Sequence, residues 1–421
     1  MALPNMPASP ASDQPAPDRV RDVEFKHRMV ADFLREHRFD ALLLQKPDNF
    51  AWFTSGADNT RGGGPETTAA LFVTPNARVV VTNNIDSVQL FETELPELGF
   101  QLKQRAWHES HQTLIEDLCR GRTVAGDGVA PGTRNISAHL AGMRLPLTEL
   151  EKARLRELGK RVVHSVEATA RNSKPGRTEA ELAGELAHRL VKRRVVPVRM
   201  QVAGDGRADR FRHWGFGNDP VERSATISAI GRWHGLCLGV TRTFCFDAPT
   251  DDLRESHNRA VLMLATGAAF SRHDWELCEV WKRVKRIYEK FDVPGEWQLA
   301  RQAEITGYSP TEVPIVPQSE FRLAAGMPIF WHPSVGPALT GDTVLVTDSG
   351  VEWLTPTEHW PRLAVDVKGL IIQCPDILVR KTAAAKDDQP DDADRNSIFD
   401  SATSVPDESG SEYDLSAVLV E

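Results

Sequence analysis

The chain is poor in cysteine and tyrosine, with only five Cys and three Tyr among 421 residues. The cysteines are odd in number and far apart, so they do not form the paired framework of a small disulfide-stabilised domain. Scattered free thiols are typical of a reducing compartment, and we predict a cytoplasmic location. The cysteines are Cys119, Cys237, Cys245, Cys278 and Cys374.

Long apolar runs and a basic leader are also missing. No stretch approaches the ~18–20 apolar residues that a membrane helix needs. Residues 1–18 are rich in Pro, Ala and Asp and lack the basic and apolar regions of a signal peptide. We therefore predict neither a membrane association nor export. The formal net charge of −9 shows no basic excess, so no nucleic-acid partner is expected.

The negative charge is concentrated at the end of the chain. From Ala383 to Glu421, eleven Asp and Glu residues stand against Lys386 and Arg395, which leaves the rest of the chain formally neutral. The same segment has few large apolar residues, so we predict an acidic disordered tail over 383–421. A disordered segment is also predicted over 1–20.

Between these ends the chain is long enough for two domains. An amphipathic pattern predicts a helix over Asp22–His37, followed by a buried strand at Ala41–Leu44 and a strand pair around Pro75-Asn76. The capping boxes Thr148–Glu151 and Thr178–Glu181 predict the starts of two later helices, because the Thr hydroxyl and the Glu carboxylate satisfy free amides. The pattern indicates an α+β protein.

The most specific signal is a hairpin pattern at residues 228–244, which read Ser-Ala-Ile-Gly-Arg-Trp-His-Gly-Leu-Cys-Leu-Gly-Val-Thr-Arg-Thr-Phe. Residues 174–179 read Lys-Pro-Gly-Arg-Thr-Glu. Both segments resemble those of the pita-bread metallopeptidases, the family of aminopeptidase P, prolidase, methionine aminopeptidase and creatinase. The resemblance implies a creatinase/prolidase-like N-terminal α/β domain over 21–145 and a pita-bread α+β domain over 146–382.

The metal-dependent members of that family bind a dinuclear centre through two Asp, one His and two Glu. Aligning the motifs places other residue types at all five positions of this chain. Because Ser, Ala and Gly supply no anionic or imidazole ligand, we predict no metal and no other cofactor. The five positions hold Ser228 or Ala229, Gly239, Tyr308, His332 and Gly341. A substitute site made by His213, His332 and Asp342 remains an alternative.

Three side chains are candidates for catalysis. In the family a His that precedes the hairpin contacts substrate or transfers a proton, and His213 stands at that place; a neutral imidazole suits a general base near neutral pH. Glu312 matches the Glu of the family's His-Glu-x-Pro motif and is predicted to be its acidic partner. His332 is predicted to face the same pocket, so Trp331 beside it on the strand should face the core.

Five further residues are predicted to bind substrate through the family resemblance. Arg61 precedes three glycines in a loop that, in the family, reaches toward the partner subunit's site. Trp233 is a pocket candidate that could instead cover the hairpin turn, and Arg242 could instead be structural. The predicted set is Arg61, Tyr308, Trp233, Arg242 and Asp342.

Three functions are compatible with this pattern. The first is a metal-independent, creatinase-like hydrolase that cleaves a C–N bond in a small molecule or peptide. The second is an inactive pseudopeptidase that binds a peptide or protein. The third is a metallo-aminopeptidase that uses substitute ligands. Family members with this N-terminal domain usually dimerise, so a homodimer is predicted.

Overall fold

The first domain alternates helices and strands in the computed structural model, which describes residues 17–62, 64–128, 130–357 and 359–380. The strands are β1 (Ala41–Leu44), β2 (Ala69–Thr74), β3 (Ala77–Asn83), β4 (Gln101–Arg105), β5 (Val124–Gly126) and β6 (Thr133–Asn135). The helices are α1 (Pro17–Glu36), α2 (Pro47–Phe53), α3 (Ser87–Gln89), α4 (His111–Cys119) and α5 (Ser137–Met143), with a π-helical turn at Leu90–Glu94. The strands form one sheet in the order β4-β3-β2-β1-β5-β6.

The centre of this sheet is the predicted strand β1. All four of its residues are buried, and it pairs antiparallel with β2 and parallel with β5. Helix α1 begins at Pro17, so residues 17–20, predicted as part of a disordered segment, are helical; proline suits the first turn of a helix because it needs no hydrogen-bonded N–H there. Residues 1–16 and the predicted acidic tail lie outside the described residues.

The second domain repeats one arrangement twice, a pair of long helices followed by antiparallel strands. The first half contains α6 (Glu149–Asn172), α7 (Glu179–Lys192), β7 (Val196–Gly204), α8 (Arg207–Arg210), β8 (Ser224–Trp233) and β9 (Leu236–Cys245). The second contains α9 (Asp251–Phe270), α10 (Leu277–Lys290), a 3-10 turn at Glu296–Leu299, β10 (Ala303–Ile305), β11 (Val313–Pro314), β12 (Pro328–Trp331), β13 (Ser334–Val335), β14 (Ala338–Leu339), β15 (Asp342–Thr347) and β16 (Gly350–Trp353). The chain continues with β17 (Arg362–Val367), β18 (Leu370–Pro375) and β19 (Leu378–Val379).

Both predicted capping boxes are present at the starts of α6 and α7. In each box the Thr side chain accepts from the Glu backbone N–H, and the Glu side chain accepts from the Thr backbone N–H, as at Thr148 and Glu151. Helix α10 begins at Leu277, because Glu276 before it is in extended backbone and forms a β-bridge with Arg322.

Two sheets of the second domain meet where β9 contacts the start of β15. Their orders are β19-β9-β8-β7 and β11-β10-β12-β15-β16. The backbone N–H of Thr241 donates to Gly341 O at 2.9 Å, and Thr343 Oγ1 donates to Gly239 O at 2.7 Å. Helix α6 packs on β8 and β9, where a Cβ at Gly231 would lie 2.8 Å from Val162. The alternate residues of β8 therefore face away from α6, toward the second sheet.

Buried charged residues join the two domains. Lys26 of α1 is fully buried, and its Nζ lies 2.6 Å from Asp22 Oδ2 and 2.6 Å from Glu151 Oε1 of α6. Ser55 Oγ donates to Asp22, and the Tyr308 hydroxyl donates to Glu151 Oε1 at 2.7 Å. We call these five residues the junction cluster. Removing one charged partner would leave an uncompensated buried charge, which is strongly destabilising. The contact between the two domains therefore depends on the junction cluster.

None of the helices within the described ranges is both long enough and apolar enough to cross a membrane.

Candidate functional site

The hairpin β8–β9 presents two of the five predicted ligand positions on one face. Ser228 pairs with Thr241 and Ile230 pairs with Gly239, so Ser228 shares the face of Gly239 because side chains alternate along a strand. Ala229 points the other way, into the core beneath α6. Thr241 Oγ1 donates to Ser228 Oγ at 2.8 Å. Of the two residues predicted for the first Asp position, Ser228 is therefore the one that shares the face of Gly239, and it is engaged within the hairpin.

An aromatic ring fills the space between these positions. Phe330 of β12 is almost completely buried and forms a small apolar cluster with Ile230 and Cys237. A Cβ added at Gly239 would lie 2.5 Å from Phe330 Cε1, and one added at Gly341 would lie 3.0 Å from Phe330 Cε2. Distances near 2.5 Å are far below carbon–carbon contact. The ring therefore occupies the room that side chains at Gly239 and Gly341 would need, and we call Phe330 the plug.

The residues at this place do not fit the dinuclear centre that the fold family implies. Ser228 is hydrogen-bonded to Thr241, two positions are glycines, and the plug stands between them. Across the described ranges, no group of three or more His, Cys, Asp or Glu side chains is arranged to hold a metal ion. The substitute site of His213, His332 and Asp342 is not assembled either, because Asp342 faces Arg242 on the opposite side of its strand.

Glu304, and not Tyr308, lies beside His332. The prediction that Tyr308 occupies a ligand position of this site is therefore wrong. Glu304 pairs with Phe330 across β10 and β12, so Glu304, Phe330 and His332 share one face. Tyr308 lies beyond the end of β10, buried in the junction cluster, and does not face the plug. The sequence signal for Glu304 was a single acid between Ala303 and Ile305 in an apolar strand, which motif alignment passed over.

Glu304 and His332 form a buried polar pair. Glu304 is fully buried and His332 is 4% exposed, with Glu304 Oε2 3.4 Å from His332 Nε2. Neither carboxylate oxygen nor His332 Nε2 has a hydrogen-bond partner among the described residues. Burial alone would raise the pKa of Glu304, but its interaction with His332, aided by Arg199 and Arg301, lowers that pKa below the usual range. The carboxylate is therefore ionised at neutral pH, with unused hydrogen-bonding capacity.

His213 interacts electrostatically with both members of this pair. It is exposed on the loop after α8. Burial of part of the ring, with the charges of Arg199 and His332, lowers the pKa of His213 below its ordinary value, and Glu304 opposes the shift. Arg199 lies 3.9 Å from Glu304 Oε1. We call His213, Arg199, Glu304 and His332 the histidine cluster. It contains a neutral base, an ionised acid and a cation.

Glu312 is not the acidic partner of His213. Its carboxylate accepts from Arg144 Nε at 3.1 Å and from the backbone N–H of Ser309 at 3.0 Å. Arg144 also pairs with Asp48 of the first domain at 3.3 Å. Glu312 therefore belongs to the contact between the domains. Sequence spacing could not separate it from Glu304, because both acids lie in the same short stretch.

Arg242 and Asp342 also differ from their predicted substrate-binding role. Both side chains are fully buried, and Arg242 pairs with Asp342 Oδ1 at 2.9 Å and with Glu167 at 3.2 Å. Thr355 Oγ1 donates to the same Asp342 oxygen at 2.6 Å. Their strands place them on the side opposite Thr241 and Gly341, facing α6. The alternative that Arg242 is structural agrees with this arrangement.

Two predicted substrate contacts lie away from the histidine cluster. Trp233 is at the hairpin turn, where its ring packs 4.0 Å from Arg161 and 4.3 Å from the His234 ring. The alternative that it covers the turn agrees with this placement. Arg61 is on the surface of the first domain and pairs with Asp86 at 2.9 Å. Its reach into a partner subunit stays a prediction; Gly63 in its loop lies outside the described residues.

Part of the sequence and most of the fold are similar to those of known peptidases. Residues 153–352 match the sequence model of metallopeptidase family M24. The prolidase of Pyrococcus horikoshii OT3 is similar in structure, with a TM-score of 0.70 at 16% identity, covering 79% of this chain and 99% of that one. A Xaa-Pro dipeptidase from Bacillus anthracis gives a TM-score of 0.66 at 17% identity, covering 80% and 98%. A variant of Escherichia coli aminopeptidase P gives 0.64 at 17% identity, covering 80% and 94%.

No curated protein matches the sequence of this chain. The structural likenesses establish the fold, and the family match coincides with the region that builds the hairpin, the plug and Glu304. The second domain thus carries the family M24 match over residues 153–352, and the chain has the pita-bread fold of prolidase and aminopeptidase P.

Proposed function

We propose that this chain is a metal-independent hydrolase that cleaves a C–N bond in a small molecule or peptide. The observation that carries this proposal is the histidine cluster, in which two imidazoles, an ionised carboxylate and an arginine stand beside the plugged centre. General acid–base catalysis needs a base that is neutral at the working pH and a group that can protonate the leaving amine. His213 and the Glu304–His332 pair supply those types of group.

In the proposed reaction His213 takes a proton from a water molecule as the water oxygen attacks the carbon of the C–N bond. The C–N bond then breaks as the leaving nitrogen takes a proton from His332, which lies 3.4 Å from Glu304. The proton that His213 took from water returns to His332 through solvent, which restores both imidazoles. Arg199, with Arg301 nearby, stabilises negative charge on the attacked group or on a substrate carboxylate, because a guanidinium donates two parallel hydrogen bonds to such groups.

A second candidate is a pseudopeptidase that binds a peptide or protein. The observation that favours it is the plug, which fills the centre of the sheet surface with an apolar core. Under this hypothesis Glu304 and His332 offer hydrogen-bonding groups to a bound chain instead of moving protons. The two candidates differ in whether His213 affects a rate or only an affinity.

The turnover test uses a panel of small amides, ureas, amidines and dipeptides, with products followed by mass spectrometry after treatment with a chelator. Turnover should survive the chelator and fall at least about a hundredfold in His213→Ala, since general acid–base groups contribute that much or more. Because the pKa of His213 is below its ordinary 6.5, the rate should hold at neutral pH and decline as the pH falls through that lower value. His108→Ala, an exposed histidine of the first domain, is the matched control.

Turnover that disappears with the chelator and returns with added metal would contradict metal independence. Binding of a panel member without any product, weakened only slightly by His213→Ala, would instead favour the pseudopeptidase.

The purified protein is expected to hold no stoichiometric Zn, Mn, Co or Fe. Three of the five family ligand positions are Ser228, Gly239 and Gly341, which offer no strong ligand. Elemental analysis after dialysis against a metal-free buffer measures this directly. One metal ion per chain that is lost in His332→Ala would overturn the proposal and revive the substitute-ligand aminopeptidase.

A further inference from the structure

A cavity of about 360 Å³ lies where the first domain meets the hairpin turn of the second. Its size is within the ~300–1,000 Å³ typical of small-molecule sites. Lys46 and residues 47–58 form one wall, and residues 232–235 and 308–310 form the other. We call it the junction cavity. It is separate from the histidine cluster, none of whose members lines it.

Three cations line the cavity: Lys46, Arg194 and Arg232. In the described part of the chain, the side chains of Lys46, Arg194 and Arg232 make no hydrogen bond or ion pair. The backbone brings two of them together, since Arg232 pairs with Val196, two residues after Arg194. Their charges therefore face one concave space, and Glu94 offsets part of the charge of Arg194.

The two carboxylates in the same lining are already engaged. Asp48 lies 3.3 Å from Arg144, and Asp58 accepts from the backbone N–H and the hydroxyl of Thr60 at 2.8 and 2.7 Å. Glu94 lies behind the wall, where it accepts from Asp58 N and interacts with Arg19 and Arg194. These acids do not neutralise Lys46 and Arg232.

His234, which also lines the cavity, is affected by nearby positive charges. Burial, together with the nearby Arg154 and Arg19, lowers the pKa of His234 to about 3. The two arginines donate to backbone carbonyls, Arg154 to Ser55 O at 2.6 Å and Arg19 to Ser55 O at 3.1 Å. Glu94 offsets part of the charge of Arg19, and Asp22 and Glu151 offset part of the charge of Arg154. Both arginines nevertheless disfavour an imidazolium at His234, and the same field favours an anion.

We propose that the junction cavity binds a small organic anion that carries phosphate or carboxylate groups, held by Arg194, Arg232 and Lys46. Guanidinium groups bind both kinds of oxyanion through paired hydrogen bonds, and lysine adds a point charge. Lys46 comes from the first domain and the two arginines come from the second, so the bound anion bridges the domains. This site is a different one from the proposed hydrolytic site.

Calorimetric titration with pyrophosphate and with citrate, each at a fixed ionic strength set by NaCl, tests the proposal on the full chain. At least one of the two anions should bind, and the stronger binder identifies phosphate or carboxylate as the preferred group. Arg194→Gln/Arg232→Gln should weaken that binding at least about tenfold, because each lost charge-assisted hydrogen bond contributes more than a neutral one. A change in tryptophan fluorescence on titration that is lost in Trp233→Phe gives an independent readout of occupancy, since Trp233 lines the cavity.

The matched control is Arg199→Gln/Arg301→Gln, which removes the same charge from Arg199 of the histidine cluster and from Arg301 near it, and should leave the affinity for the anion nearly unchanged. Thermal melts of both double variants verify that they are folded. Absence of binding by either anion, or an equal loss in the two double variants, would overturn the proposal. Loss only in Arg199→Gln/Arg301→Gln would place the anion at the histidine cluster, and would overturn it as well.

Discussion

Replacing Phe330 with alanine is expected to lower the free energy of unfolding by about 3–5 kcal/mol, the range for removing a buried aromatic side chain. The ring is 1% exposed and packs against Ile230, Cys237 and the His332 ring, whose centroid is 4.6 Å away. Gly239 and Gly341 contribute no side chain that could fill the space left by the ring. Urea unfolding followed by fluorescence or circular dichroism measures the loss.

The same packing predicts an energetic coupling between Phe330 and Gly239. Gly239→Ala alone should cost about 1–3 kcal/mol, because the new Cβ would lie 2.5 Å from the ring. In Gly239→Ala/Phe330→Ala the methyl group has room, so the double variant should lose less than the two single variants together, by more than about 0.5 kcal/mol. Gly184→Ala is the control, since a Cβ there meets nothing within 4 Å, and it should be neutral or slightly stabilising on its helix. Strict additivity would show that the plug does not occupy the space above Gly239.

Replacing Lys26 with methionine is expected to cost about 3–5 kcal/mol at neutral pH, because Asp22 and Glu151 would then be buried without their shared cation. Lys26 is fully buried between the two carboxylates, 2.6 Å from each. Lys282→Met, which breaks an exposed pair with Glu279, is the control and should cost less than about 1 kcal/mol. A loss in Lys26→Met no larger than in the control would mean that the junction cluster does not hold the domains together.

The loss of stability in Lys26→Met should be smaller at acidic pH than at neutral pH. Burial alone would raise the pKa of Asp22, but Lys26 and the hydroxyl of Ser55 lower it overall. A lowered carboxyl pKa contributes stability above the pKa of the unfolded chain, and that contribution is lost as the pH falls through the folded value. The difference in the free energy of unfolding between the original protein and Lys26→Met should therefore become smaller as the pH falls and Asp22 is protonated. Unfolding curves at pH 7 and at mildly acidic pH compare the two proteins.

The amino-acid sequence by itself determined the local features of this fold. The capping boxes at Thr148 and Thr178, the buried strand at Ala41–Leu44 and the hairpin over residues 228–244 were predictable, because each depends on residues close together in the chain. The orientation of Trp331 followed from strand alternation, and the structure confirms it: the indole N–H donates to Ser271 Oγ at 3.1 Å in the core.

Motif alignment also selected His213 and His332 as candidates for one pocket, and the two rings interact electrostatically in the structure. It failed for Glu304, Glu312 and Tyr308. These three acidic or phenolic residues lie within nine positions of one another, and short degenerate motifs cannot decide which of them faces the site.

Only the tertiary structure decided how the substituted positions are used. Phe330 fills the space above two glycines that are distant from each other in sequence, Glu304 meets His332 across two strands, and Arg242 pairs with Asp342 one hundred residues away. Arg194, Arg232 and Lys46 surround one cavity only because two domains meet there. Such contacts depend on which faces of distant strands and helices are brought together. A local pattern specifies the direction of a side chain relative to its own strand, but not the residue that it will meet.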